Sequence, residues 1–191
     1  PAALLTCVLT SAVVTLVVIT PTVMQQRFGM SPRDTFALSS VGIVFLNIGC
    51  VLAGMLVDRI GAWRGVVLYS LLLPVGVGLL YASLVIQWLP VGLAYAVAGL
   101  ACGIVGVVPS VMVGLFPANI RVSGISLTYN ISYALWASTT PLALIALMPW
   151  SPWVCVGYCV IMGAVGLLTA MFFGLRKGMQ VDDVLTAPCN P

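Results

Sequence analysis

Six long hydrophobic runs, separated by short polar or proline-containing breaks, make up most of this chain. Each run is long enough to form a helix that crosses a bilayer, which takes about 20 residues. The runs are apolar on nearly every side, whereas strands of a membrane barrel alternate between lipid-facing and lumen-facing residues. The sequence therefore predicts an all-α membrane protein with six transmembrane helices, near residues 2–26, 34–57, 64–86, 90–116, 122–147 and 152–175.

Composition agrees with this pattern. Hydrophobic residues make up 62% of the 191 residues and charged residues 6%, whereas roughly a quarter of the residues in a soluble domain are charged. A water-exposed surface cannot be built from so few charges, so membrane lipid is expected around most of the molecule. The net charge is only +3, and no basic run is longer than Arg176-Lys177. A nucleic-acid partner is therefore not expected.

The basic residues predict the orientation of the helices. The breaks after the first, third and fifth runs hold two Arg or Lys residues, whereas the other two breaks and the C-terminal tail hold five. Positive charge is enriched on the cytoplasmic side of membranes. We therefore expect a multi-pass protein of the bacterial inner membrane, with a six-helix bundle over 1–175 and a cytoplasmic tail over 176–191. Because the chain starts with Pro1, we expect it to be part of a longer chain.

The break after the second run combines glycines with opposite charges. Its members are Gly54, Leu56, Asp58, Arg59, Gly61 and Arg64. Glycine permits close packing at position 54 and a tight turn at position 61, and a plain charged loop that anchors orientation explains the same residues. The pattern resembles the G-x-L-x-D-R-x-G-R-R loop of the major facilitator superfamily. This resemblance implies that Gly54, Asp58, Arg59, Gly61 and Arg64 organise a gate on the cytoplasmic side.

A second motif covers the break after the fourth run and the start of the fifth. It reads L-F-P-x-x-x-R-x-x-G over 115–124, followed by Tyr129-Asn130. It resembles the metabolite:proton symporter family of that superfamily, whose members carry proline and betaine, α-ketoglutarate, citrate or shikimate. The resemblance is strongest over 114–141 and covers the whole chain as the last six of twelve helices. It implies an N-terminal six-helix half as partner, and it places Pro117 and Arg121 at the cytoplasmic gate.

The fifth run has a polar and aromatic stripe on one third of its circumference, at about 100° per residue. The stripe consists of Ser126, Tyr129, Asn130, Tyr133, Trp136 and Thr140. The opposite side, which suits lipid, carries Leu127, Ile131, Leu135 and Leu142. Polar groups in hydrocarbon need partner helices or a watery cavity, and for single residues both explanations stay open. We predict that Asn130, Tyr133 and Trp136 line a substrate path.

The first, second and fourth runs add further polar or small residues. Ser11, Thr15, Thr22 and Gln26 share one face of the first helix, which Pro21 is expected to kink. We assign Thr15, Thr22 and Gln26 to the same substrate path. Asn47 lies on a face with Ser40 and Gly54, and either faces the cavity or holds a neighbouring helix. In the fourth run, Gly99-x-x-x-Gly103 predicts close helix contact.

Some chemistry is not expected from this sequence. No Asp, Glu, His, Lys or Arg lies deep in any run, and there is no histidine. The six cysteines form no CxxC pair, so neither a metal site nor a disulfide framework is expected. Intramembrane hydrolysis needs metal ligands or an acid pair, so we expect neither an enzyme nor a bound cofactor. Proton coupling needs an ionisable group at membrane depth, which a first six-helix half would have to supply.

These observations lead to three functional hypotheses. The first is the C-terminal half of a secondary transporter that moves a small organic solute, such as a carboxylate or betaine, with protons as the co-transported ion implied by the resemblance. The second is an efflux pump for apolar compounds, which the valine-rich first helix would suit. The third is a truncated remnant without transport of its own.

Overall fold

The computed structural model describes residues 1–117 and 119–174, and in those residues the protein is helical without strands. A helix covers each of the six predicted runs. We label them α1 (Ala2–Phe28), α2 (Pro32–Ile60), α3 (Ala62–Ile86), α4 (Val91–Leu115), α5 (Arg121–Leu147) and α6 (Val154–Gly174). The predicted tail, residues 176–191, lies outside the described residues.

The connections are short because strong local signals end each helix. The turn between α1 and α2 begins at Gly29, whose φ of 62° is left-handed. Ser31 then caps α2, since its Oγ accepts a hydrogen bond of 3.2 Å from the Asp34 N–H. Gly61, with φ of 90°, is the single residue between α2 and α3, and it makes the tight turn that the sequence predicted there.

Two helices depart from regular α geometry. In α1 the segment Val14–Ile19 is a π-helix that ends just before Pro21, close to the predicted kink. In α4 a turn at Cys102 and Gly103 separates two α-helical stretches, Val91–Ala101 and Ile104–Leu115. The run over 90–116 was expected to be one helix, and this interruption was not predicted.

Glycines bring α4 very close to α2. A Cβ added at Gly99 would lie 2.5 Å from the Gly42 carbonyl oxygen, and one added at Gly103 would lie 2.8 Å from the Gly49 carbonyl oxygen. The close contact predicted from Gly99-x-x-x-Gly103 is therefore confirmed. On the partner helix, a Cβ at Gly42 would collide with the Tyr95 ring.

Five helices are long and apolar enough to cross a membrane, namely α1, α2, α3, α4 and α6. The remaining helix, α5, has 27 residues but falls outside that set, because the polar stripe lowers its hydropathy. The protein is thus a membrane-embedded, multi-pass helical protein.

The packing of the six helices follows a repeated scheme. Helix α4 packs against α2 and α3, and in the same way α1 packs against α5 and α6. Two further contacts join equivalent helices: α1 packs on α4, and α3 packs on α6. Exchanging α1–α3 for α4–α6 therefore leaves the scheme unchanged. If α5 crosses the membrane together with the other five helices, each unit of three has an odd number of crossings, and the two units run in opposite directions through the membrane.

Candidate functional site

A polar groove lies between α1 and α2 near the ends that meet at Gly29. Its volume is about 660 Å³, within the usual range for small-molecule sites. It is lined by Val17, Val18, Pro21, Thr22, Gln25, Gln26, Phe36, Ser39, Ser40 and Ile43. Two of the predicted path residues, Thr22 and Gln26, are therefore neighbours in one groove.

The sequence prediction missed three polar or aromatic members of this groove. Gln25 precedes Gln26 and Ser39 precedes Ser40, so each was one residue away from a position already singled out. Phe36 is 62% exposed and is one helical turn before Ser40. Helical periodicity along α2 could have found Phe36 and Ser40 together, because positions i and i+4 share a face.

The predicted polar face of α1 is split in the structure. Ser11 and Thr15 are completely buried, whereas Thr22 is half-buried and Gln26 is exposed at the groove. The π-helical segment explains the difference. It adds a residue to the turn, so positions beyond it are rotated by about 100° from their place on a regular helix. Thr15 lies in the core, and its hydroxyl has no hydrogen-bond partner among the residues that the structure describes.

The stripe on α5 is also divided. Tyr133 and Trp136 are half-buried and Thr140 is buried, but Asn130 is exposed, and its Nδ2 donates to the Ser126 carbonyl oxygen at 2.8 Å. Asn130 and Ser126 line a shallow depression of about 390 Å³ together with Ser123, Leu127 and Ile131. The structure thus keeps Asn130 apart from the α1–α2 groove.

The aromatic residues of the α5 stripe pack with one another. The rings of Tyr129 and Tyr133 stack with centroids 5.7 Å apart. The leucines and the isoleucine of the predicted lipid side are exposed, with Leu127 at 65% and Leu142 at 71%. The division of α5 into a polar, aromatic side and an aliphatic side is therefore present in the structure, with Asn130 at the border.

A chain of hydroxyls joins three helices behind the α5 stripe. Thr140 Oγ1 lies 2.8 Å from the Tyr158 hydroxyl, which lies 3.0 Å from Ser11 Oγ, and Ser11 Oγ donates to the Cys7 carbonyl oxygen at 2.7 Å. Because the Ser11 proton points to Cys7, the Tyr158 hydroxyl donates to Ser11 and accepts from Thr140. Tyr158 is the polar residue of α6 that sequence reasoning missed, since no other polar residue on that helix marks a stripe.

Asn47 is exposed on α2 and does not line the groove. Its Nδ2 donates to the Ile43 carbonyl oxygen on its own helix at 2.8 Å. Among the described residues it makes no hydrogen bond to a neighbouring helix, and its assignment to the substrate path stays a prediction.

The charged motif lies at the junction of α2 and α3. Asp58, Arg59 and Arg64 are exposed, and in the described part of the chain none of them forms an ion pair within 4.0 Å. The close packing expected at Gly54 is wrong, because a Cβ there would meet no atom within 4 Å. Gly54 faces outward from the bundle at this point of α2.

The second motif keeps its basic residue close to its own loop. Arg121 begins α5, and its Nε donates to the Phe116 carbonyl oxygen at 3.2 Å. Pro117 is exposed between α4 and α5. Arg121 and Pro117 are therefore close in space, and neither touches the groove.

Each of the two ends of the bundle has a contact between residues that are far apart in the sequence. The Arg27 guanidinium donates to the Met148 and Pro149 carbonyl oxygens at 2.8 and 3.2 Å, which joins the α1–α2 turn to the end of α5. At the opposite end, Gly174 of α6 lies against Trp63 of α3. The first and fifth breaks therefore lie at one end, as the alternation of spans predicted.

No known protein family matches this sequence, and no curated protein is similar to it. Within residues 1–117 and 119–174, no three His, Cys, Asp or Glu side chains come together in a way that could hold a metal ion. The groove, the hydroxyl chain and the two charged motifs are thus the chemical features from which a function has to be argued.

Proposed function

We propose that this chain forms one six-helix half of a secondary transporter of the major facilitator type, which moves a small organic metabolite by alternating access. The observation that carries the proposal is the repeated packing of α1–α3 and α4–α6. Halves of such transporters contain two three-helix repeats of opposite orientation. The two motif resemblances favour the same architecture independently of the packing.

The proposal needs a second six-helix unit, on the same polypeptide or on another, and the exposed side of α2 suits that contact. Only 22% of the most apolar part of α2 is buried. The exposed side carries Ser40 and Asn47 beside Val44 and Val51, and polar groups facing outward are costly in lipid. A protein surface or a water-filled path would satisfy these side chains, so we place the second unit against α2.

In this proposal the charged junction belongs to the cytoplasmic gate. Asp58, Arg59 and Arg64 have no ion-pair partner among the described residues, so they are free to pair with the second unit when the gate closes. Each closure would gain hydrogen-bonded ion pairs that opening gives up. Such an exchange is the kind of differential contact that a two-state transporter requires.

The proposal assigns ion coupling to the second unit. Every Asp and Arg in residues 1–117 and 119–174 lies in the first or last turn of a helix. Proton coupling across the membrane needs an ionisable group at depth. Proton symport is therefore proposed from the family resemblance, with the titrating residue outside these helices.

Solute uptake tests the proposal directly. Inverted and right-side-out vesicles from cells that make the native polypeptide containing this segment are compared with vesicles from a deletion strain. We expect uptake of small polar solutes that depends on the polypeptide and is abolished by a protonophore. Extrusion of apolar dyes in place of uptake would favour the efflux hypothesis, and no movement of either kind would contradict transport.

A point substitution on α5 sharpens the test. Asn130→Leu is expected to lower uptake by about a hundredfold or more with little loss of membrane insertion, because it removes the amide at the border of the polar stripe. The matched control is Ser138→Leu, which changes an exposed polar residue on the aliphatic side of the same helix. Unchanged uptake by Asn130→Leu would remove this residue from the substrate path.

A further inference from the structure

The groove between α1 and α2 has a distinctive set of hydrogen-bonding groups. Its three hydroxyls already donate their protons to backbone carbonyls: Thr22 to Val18 at 2.9 Å, Ser39 to Thr35 at 2.8 Å, and Ser40 to Phe36 at 2.8 Å. Each hydroxyl oxygen still has lone pairs that can accept. The hydroxyls therefore offer acceptors, and not donors, to a molecule in the groove.

The two amides of the groove are uncommitted. The side chains of Gln25 and Gln26 have no hydrogen-bond partner among the described residues. Each amide can donate two hydrogen bonds and can accept others on its oxygen. Together with the hydroxyl oxygens, they would satisfy a ligand that both donates and accepts at several adjacent positions.

The groove holds no charge. No Asp, Glu, Lys or Arg is among the residues that line it. A carboxylate only accepts hydrogen bonds, so the amides could donate to it but the three hydroxyls could not, and no cation among the lining residues would balance its charge. A quaternary ammonium group, as in betaine, would lack an anionic partner.

One wall of the groove is apolar. Phe36 is 62% exposed and Val18 is 49% exposed, and Pro21 and Ile43 lie beside them. A flat C–H surface can pack on this wall while hydroxyl groups turn to the amides. Sugars and polyols combine these two properties, and a volume of about 660 Å³ accommodates a molecule with six carbon atoms.

We infer that this groove is a subsite for a neutral polyhydroxylated solute, and that it is the entry subsite of the transporter proposed above, on whose function the inference rests. It departs from the carboxylate or betaine that the family resemblance implied. In the expected topology the groove opens on the non-cytoplasmic side, so the solute would meet it before the centre of the carrier.

Binding to the purified native polypeptide in lipid nanodiscs tests the inference. Sorbitol, gluconate and betaine are compared by saturation-transfer NMR and titration calorimetry. Sorbitol and gluconate differ mainly by one carboxylate, so their ratio measures the preference for a neutral ligand. We expect sorbitol to bind at least about tenfold more tightly than either charged compound, because the groove cannot balance their charges.

Substitutions then locate the binding. Gln25→Leu combined with Gln26→Leu should weaken sorbitol binding at least about tenfold, since it removes the uncommitted donors. Gln87→Leu is the matched control, because Gln87 is exposed between α3 and α4 and lies outside the groove. Circular dichroism and thermal unfolding establish that both variants fold.

The binding and uptake results together decide between the subsite and the proposed transport. Tighter binding of gluconate or betaine, absence of sorbitol binding, or equal loss in the control variant would overturn the subsite. If the native polypeptide takes up organic acids while sorbitol neither binds nor competes, the subsite is wrong and the proposed transport stands. If sorbitol binds in the groove but no solute crosses the membrane, transport is wrong and the binding site stands.

Discussion

α1 and α2 are nearly equal in length and hydropathy, yet they occupy opposite environments. In the most apolar 18-residue part of each, 72% of α1 is buried within the protein and only 22% of α2. Thr6, Thr10 and Ser11 of α1 are completely enclosed, whereas Ser40 and Asn47 of α2 point outward. The difference teaches that hydropathy identifies a helix as membrane-spanning but says nothing about which side meets protein.

Polar residues consequently have different roles in the two helices. On α1, Ser11 connects helices in the interior through Tyr158 to Thr140. Those of α2 bond to their own backbone and leave their outer surface available. The enclosed polar residues of α1 stabilise the bundle, whereas Ser40 and Asn47 on α2 are available to a ligand or a second unit, as are Thr22 and Gln26 at the far end of α1.

The largest effect is expected where α2 touches α4. Gly42→Ala should destabilise the protein by about 1–3 kcal/mol, because the new methyl group collides with the Tyr95 ring. That ring is fixed, since its hydroxyl donates to the Leu16 carbonyl oxygen at 2.7 Å. Thermal unfolding in detergent measures the loss.

Gly54→Ala is the control on the same helix. Its methyl group meets no atom within 4 Å, and Ala is the better helix former by up to about 1 kcal/mol. The control should be as stable as the original protein or slightly more so. Equal destabilisation by both substitutions would break the distinction between the packed and the free side of α2.

An intermediate effect is expected from two serines. Ser11→Ala should cost about 1 kcal/mol, because the Tyr158 hydroxyl loses an acceptor in a part-buried site. Ser40→Ala, on the exposed side of α2, should change stability by less than about 0.5 kcal/mol. Unfolding midpoints of the two variants in the same detergent give the comparison, and a larger loss for Ser40 would contradict it.

The smallest effect is expected from the arginines on either side of the first turn. Arg27→Gln should lower stability by about 0.5–1 kcal/mol and speed amide exchange at the end of α5, since it weakens the bonds to Met148 and Pro149. Arg33→Gln changes an exposed residue of α2 that makes no such contact and should leave exchange unaltered. Exchange mass spectrometry that shows the same increase for both would contradict this assignment.

The sequence was sufficient to predict the helices because their limits are local. Long apolar runs define the spans. Ser31 begins a helix through its side-chain oxygen, and Gly61 and Pro90 end or begin helices through their backbone conformation. The close approach of α4 to α2 at Gly99 could also be predicted from the sequence, because small residues at a four-residue spacing lie on one face of a helix. These features need no knowledge of the neighbouring helices.

Other features depend on how the helices pack and could not be predicted from the sequence. The phase of α1 changes in a π-helical segment, and no residue type marks that change. This is why Thr15 and Thr22 were assigned to one face but lie in different places. Only the α1 side of the groove was predicted. Thr22 and Gln26 were identified from the sequence of α1, but the residues of α2 that face them are brought there by helix packing. The charged motif was predicted as a gate, which stays a prediction.

The π-helical segment divides α1 into two parts that have different surroundings. Residues before it are anchored among α4, α5 and α6, and residues after it form a wall of the groove. Arg27 ties the far part of α1 to the turn after α5 through the Met148 and Pro149 carbonyl oxygens. A change of conformation in the π-helical segment would therefore shift this wall of the groove and the turn after α5 together, while the first part of α1 keeps its place in the interior.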